Sequence, residues 1–304
     1  MGWSGTVEHP AWGGFVDVGG ARLEYRRIPS SRPGAPTLVF LHEGLGCIAI
    51  WRDFPDRLAA ATGCGALVYS RQGYGGSSPC RLPRPLHYHD DEADGVLPAL
   101  LDRLGVTGDL VPVGHSDGAT IALLAAAGRL GPRILLAIAE APHVFVEDVT
   151  IAGIEAACTA WRSGALRRGL ERLHGDNTEA AFRGWSETWL EPRFRAWNIE
   201  DRLPAIAKPL LVIQGVDDEY ATAAQYDAIA AKAGGPVSVL VLEDCGHTPH
   251  RDRPGRVLAA MAEAIAAAEM AAAEMAATET AAAGRALPPE RHKPSVLPLG
   301  QRAD

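Results

Sequence analysis

Six short, almost uninterrupted apolar runs constrain this chain more than any other feature. They lie at Thr37–Leu41, Ala66–Tyr69, Leu110–Val113, Ile134–Ile138, Leu210–Ile213 and Val237–Leu242. Each is too short for a helix and too evenly apolar for a strand with one wet face, so each reads as a strand buried on both faces. Helical patterns at Glu92–Leu104, Ala119–Leu130 and Ala221–Ala233 separate most of them. Strand alternating with helix predicts an α/β fold, a mostly parallel, doubly wound sheet covered on both sides. Ahead of the first run, Gly14–Val18 and Arg22–Arg27 alternate apolar with polar residues and meet at Gly19-Gly20, the signature of a β-hairpin.

One stretch breaks the alternation. Between Glu140 and Pro209 only helical patterns occur, and four of the seven tryptophans fall there: Trp161, Trp185, Trp189 and Trp197. A helical cap inserted after the run Ile134–Ile138, the sixth strand once the hairpin is counted, accounts for this. The predicted organisation is a hydrolase core in two parts, 1–140 and 207–284, a cap at 141–206 and a disordered tail at 285–304. The last helix is expected to begin near Pro254 and to end at Gly284 and Pro288-Pro289. The tail offers several prolines and little apolar periodicity. The 304 residues suit one large domain, or about 230 residues plus an insertion.

Composition removes several function classes. The formal charge of −8 leaves no broad basic surface for nucleic acid. Five scattered cysteines without a C-x-x-C pair argue against a disulfide framework and a zinc site, and fit a reducing, cytoplasmic setting. His87 and His89, one residue apart, are a poor metal signal, so no metal and no cofactor are expected. Met1-Gly2-Trp3-Ser4-Gly5 is not a basic region followed by an apolar run, so no signal peptide is expected. No run approaches the roughly 18 apolar residues of a membrane span.

The chemistry centres on Gly114-His115-Ser116-Asp117-Gly118. A G-x-S-x-G match arises by chance in roughly one chain in five of this glycine content, but rarely between a buried strand and a helix. There a sharp turn pushes the serine Oγ out at the strand's C-terminal end, and the helix N-terminus offers N–H groups to a developing oxyanion. Serine needs a base, and the base an orienting acid. Asp217 and Asp218 follow the run ending at Ile213, and His247 follows the next run. Serine, acid, histidine is the chain order this fold uses, and residues at C-terminal strand ends converge on one crevice.

On these residues, with Gly215-Val216-Asp217-Asp218 and Gly246-His247, the chain resembles the α/β-hydrolase superfamily over about residues 14 to 270. It is similar to the branch of valacyclovir-hydrolase-like esterases, which share the Ser-Asp-Gly elbow, a compact helical cap and a loop like Arg71-Gln72-Gly73-Tyr74-Gly75. The resemblance implies a Ser116–His247–Asp218 triad, since the family's acid is the fourth residue of G-x-x-D; Glu140 is a reserve acid because some relatives place it there. The loop His42-Glu43-Gly44-Leu45-Gly46 departs from the common His-Gly oxyanion loop. The expected oxyanion donors are the N–H groups of Asp117 and of Leu45 or Gly44; Glu43 has no assigned role. The Asp117 carboxylate either pairs with a cationic substrate group, as the resemblance to amino-acid-ester hydrolases suggests, or only bonds locally. His115 is expected to point under the elbow. Trp161, Trp185 and Trp189 are expected to wall an apolar substrate cavity.

The expected function is hydrolysis of a small-molecule carboxylic ester through an acyl-enzyme. The alternatives are a carbon–carbon hydrolase of ring-cleavage products, whose elbow usually carries Asn where this chain has His115, a thioesterase or acyltransferase, and a ligand receptor on the same fold.

Overall fold

The computed structural model describes residues 13–286. Strands β1 (Gly13–Val18) and β2 (Ala21–Ile28) pair antiparallel. Gly19 and Gly20 between them have φ of 57° and 85°, the positive values that a two-residue hairpin turn needs. There follow β3 (Thr37–Leu41), α1 (Phe54–Thr62), β4 (Gly65–Tyr69), α2 (Tyr88–Asp90), α3 (Leu97–Arg103), β5 (Leu110–His115), α4 (Asp117–Ala127) and β6 (Ala137–Glu140). Three helices come next, α5 (Asp148–Arg162), α6 (Ala165–His174) and α7 (Thr178–Trp189). The chain then forms β7 (Leu210–Gly215), α8 (Ala223–Lys232), β8 (Val237–Leu242), α9 (Pro249–Asp252) and α10 (Pro254–Ala286).

The eight strands form one sheet in the order β1-β2-β4-β3-β5-β6-β7-β8, parallel from β4 to β8. The order reverses at β3, which lies between β4 and β5. The C-terminal ends of β3 and β5 therefore open a crevice where the chain leaves in opposite directions. Pleating sends alternate residues to opposite faces. Leu38 and Phe40 of β3 join one core layer with Phe54 and Leu58 of α1, while Val39 and Leu41 join the other with Leu100 of α3 and Ile121 of α4. Val257, Met261, Ile265 and Ala268, spaced by three or four residues, form the buried stripe of α10. The compact body runs to Ala268, and from Glu269 onward the chain forms a second unit.

Four expectations require correction. Strand β8 is not buried on both faces, because it ends the sheet order; Val239 and Val241 are 38% and 42% exposed. Strand β6 starts at Ala137, and Ile134 makes only an isolated bridge to Leu110, since the Gly131–Arg133 turn brings the chain in late. The helical pattern at Glu92 starts earlier and widens to a π-turn over Asp91–Val96, just upstream of Pro98, which withholds an N–H from the ladder. Helix α10 passes Gly284 and ends at Ala286, taking in the first two residues of the expected tail; the remainder, 287–304, lies outside the described residues.

Candidate active site

The turn after β5 is sterically demanding. Ser116 has φ 54° and ψ −117°, a conformation costing a non-glycine residue about 1–3 kcal/mol. Its N–H donates to the Glu140 carbonyl at 2.9 Å, and its carbonyl accepts from Ala119 and Thr120 at the start of α4. Glycine on either side is obligatory. A Cβ on Gly114 would lie 2.1 Å from the Gly118 carbonyl oxygen, and one on Gly118 would lie 1.9 Å from that of Leu41. The serine is thus held at the tip of a strand-to-helix turn, against the end of β3.

Two loops from the far side of the sheet meet it. A Cβ on Gly215 would lie 2.1 Å from the Cys245 carbonyl oxygen, so only glycine lets the loops after β7 and β8 close on each other. The Asp217 N–H donates to that carbonyl at 2.9 Å. The Asp218 side chain is fully buried and accepts from Tyr220 N at 2.8 Å, Ala221 N at 3.2 Å and the Gln214 side-chain amide. His247 Nδ1 donates to Asp218 at 2.8 and 2.9 Å, and His247 Nε2 stands 2.9 Å from Ser116 Oγ. Burial alone would push Asp218 upward, but the bond and charge of His247, helped by the Tyr220 amide, hold it below the usual carboxylate range. Glu140 makes no approach to His247; its Oε2 accepts from His250 Nδ1 at 2.7 Å and His250 N at 3.2 Å.

The loop after β3 is anchored from beneath. His42 Nδ1 donates to the Glu43 carbonyl at 2.7 Å, and His42 Nε2 accepts from Arg71 N at 3.0 Å. The buried Arg71 guanidinium donates to the carbonyls of His42 and Glu43. In a trans peptide the next N–H points opposite to the carbonyl, so Gly44 N–H faces away from Arg71. Asp117 opens α4, and its N–H has no acceptor within the helix.

A cavity of about 220 Å³ stands over Ser116, with Gly44, Trp185, Trp189, Tyr220 and His247 among its walls. Trp185 packs so closely on the loop that a Cβ on Gly44 would lie 2.2 Å from its ring. Trp161 is not part of this cavity. Its ring stacks on Phe182 at 4.1 Å and lines a separate groove on the cap. The Asp117 carboxylate accepts from Tyr88 OH at 2.7 Å and Trp189 Nε1 at 3.3 Å, with His89 Nε2 at 3.4 Å and Arg71 at 3.7 Å as ionic neighbours. Burial opposes its ionisation, but His89, Arg71 and Tyr88 hold it well below the usual range. Through Trp189 this carboxylate ties the cap helix α7 to the elbow.

Several wall residues were not singled out from the sequence. His143 lines the cavity three residues past β6; burial, then the charge of His247, brings it down to about 4. Its Nε2–H donates to the Tyr220 carbonyl at 3.3 Å. Glu219 accepts from His247 N at 3.2 Å, and Tyr220 packs on the His247 ring at 4.7 Å. Their nearness to Asp218 was the only available signal. Among the described residues no cluster suited to a metal ion occurs, and no helix is long and apolar enough to cross a membrane.

A model of the alpha/beta hydrolase family matches residues 38–260, which include β3 to β8 and all three loops just described. The chain belongs to the alpha/beta hydrolase family. This α/β hydrolase is 25% identical over 320 residues to epoxide hydrolase A of Mycobacterium tuberculosis, covering 84% of this chain and 97% of that protein. Among solved structures it is similar to a bacterial membrane phospholipase A described as a virulence factor, with a TM-score of 0.67, 19% identity and coverage of 84% and 86% of the two chains. It is also similar to VinJ, with a TM-score of 0.62, 26% identity and coverage of 85% and 99%. With family and fold in agreement, the chain is a hydrolase.

Proposed function

We propose that this hydrolase cleaves a small carboxylic ester through an acyl-enzyme, with Ser116 as nucleophile, His247 as general base and Asp218 as the acid that orients it. The observation that carries this reading is the continuous hydrogen-bonded line that starts at Ser116 Oγ on the wall of an aromatic cavity and runs through the His247 ring to Asp218. His247 Nε2 takes the Ser116 proton as Oγ bonds to the ester carbonyl carbon. The N–H groups of Asp117 and Gly44 hold the resulting oxyanion; Gly44 is preferred over Leu45 because the Glu43 carbonyl is turned to Arg71. Collapse breaks the bond to the alkoxy group, which leaves with the proton from His247. Water, deprotonated by His247, then attacks the acyl carbon and releases the acid and Ser116.

Epoxide opening does not suit these residues. An oxirane opened by Ser116 would leave an ether on the protein, with no carbonyl for water to attack. The test is a screen of p-nitrophenyl esters, acyl thioesters and epoxides against wild type and Ser116→Ala, with fluorophosphonate labelling. Ester turnover lost in Ser116→Ala and label on Ser116 support the reading. Label elsewhere, or equal turnover by Ser116→Ala, overturns it.

A further inference from the structure

On the wall of the cavity over Ser116, beside its contact with His247, lies a polar pair that the acyl-transfer steps do not use. Glu43 Oε2 and His115 Nδ1 are 3.6 Å apart, both shielded from solvent, and neither has another hydrogen-bond partner. The carboxylate packs against the loop itself: a Cβ on Gly46 would lie 2.3 Å from Glu43 Oε2 and would push it from its present place. The other edge of the imidazole is committed. His115 Nε2 lies 2.6 Å from the His247 carbonyl oxygen, which only accepts, so Nε2 carries a proton. Nδ1 therefore faces a carboxylate with no other donor on that oxygen.

We propose that Glu43 and His115 form a carboxylate–imidazolium bridge that sets the position of His247 and the oxyanion loop relative to Ser116. Both are positioning residues, and the inference rests on the serine-hydrolase reading above. The bridge joins three segments remote in sequence: the loop after β3 through Glu43, the nucleophile turn through His115, and the loop after β8 through the His247 carbonyl. Strand pairing joins β3 to β5 as far as Leu41 and Gly114, but β8 pairs with neither of them. A shift of about 1 Å between reacting groups is enough to cost about a hundredfold in rate.

The surroundings suit a charged pair. Burial would lower His115, but the bond and charge of Glu43, then Glu140 and the His247 carbonyl, raise it. Burial would raise Glu43, but His115 and His42 bring it down to about 2. The other ionisable groups around the pair include His42 on the Glu43 side, Glu140 and His250, bonded to each other, and His247, whose ring centroid is 5.3 Å from that of His115. Trp51 covers the remaining side, over His115 and His250.

The experiment compares wild type, Glu43→Gln, His115→Gln and the double variant on a p-nitrophenyl ester, with kcat expressed per fluorophosphonate-titrated site. Glutamine at 115 keeps a donor for the His247 carbonyl but loses the partner of Glu43. The expected result is a loss of about ten- to a hundredfold in kcat for each single variant, with KM nearly constant. The double variant should be no worse than either single one, as for residues acting as a unit. Unchanged kcat per site, or losses that add, would overturn the bridge. Nitrogen-15 NMR of histidine-labelled wild type reads the pair without activity or a folded variant. The His115 imidazole, assigned through its backbone and so told apart from His250 on Glu140, should keep both nitrogens protonated at a pH where free histidine is neutral; if it titrates to neutral, the bridge is wrong. Should wild type neither turn over esters nor take the label on Ser116, the functional reading fails while the NMR result still decides the pair.

Discussion

Asp218→Asn tests the proposed chemistry most sharply, because the structure dictates where the new amide must point. Tyr220 N and Ala221 N hold Oδ1, so the substituted amide oxygen stays with them and the NH₂ takes the place of Oδ2. There it confronts the Gln214 amide and His247 Nδ1. Two donors cannot face each other, so His247 presents Nδ1 as an acceptor and moves its proton to Nε2. That proton then points at Ser116 Oγ, 2.9 Å away, and the ring no longer accepts the serine proton. A wrong tautomer of this kind lowers kcat by about 10⁴, or about 5.5 kcal/mol. Steady-state hydrolysis of a p-nitrophenyl ester, beside a melting curve to show that the variant is folded, reads the loss. Asp217→Asn is the control, since the only bond found for Asp217 is through its backbone N–H. If Asp218→Asn retains activity within about tenfold of wild type, or if Asp217→Asn is the crippled variant, the argument from tautomer and loop register is refuted.

Three further outcomes are expected. His143 sits near 4 in the folded chain and near 6.5 when unfolded. Between those values the unfolded chain takes up a proton that the folded one refuses. Stability from this group is complete above about pH 6.5 and is lost as pH falls toward about 4, by up to about 3 kcal/mol; urea melts of wild type and His143→Gln should converge or cross over that range, and parallel curves would contradict it. Trp189→Phe keeps a ring but removes the N–H shared by Tyr88 OH and Asp117, and should lower stability by about 1.5–3 kcal/mol in the same assay, no change meaning that the tie is idle. Because the Asp117 carboxylate is engaged internally, matched α-amino and desamino esters should show no amino preference arising from it. A preference of about tenfold, about 1.4 kcal/mol, that vanishes in Asp117→Asn would show that the carboxylate reaches the substrate.

Where the sequence determined the outcome, local patterns were enough. Strands β3, β4, β5 and β7 lie where short apolar runs require them, because a strand buried on both faces admits almost nothing else. The tight strand-to-helix turn at Ser116 was equally legible, since at Gly114 and Gly118 only glycine fits where a Cβ would lie about 2 Å from backbone atoms. Tertiary structure decided what depends on residues remote in sequence. Strand β8 is half exposed because it ends the sheet, a fact of strand order and not of composition. Trp161 and Trp185 are alike in sequence, but one packs on the cap's outer groove and the other on Gly44, according to which helix face each occupies. For Asp117 the sequence left open a substrate-pairing or a purely local carboxylate, and the fold brings Tyr88 and Trp189, 29 and 72 residues away, onto it. Glu43 had no role at all until folding set His115 beside it, because a buried charge takes its meaning from its partner, and no spacing rule connects positions 43, 115 and 247.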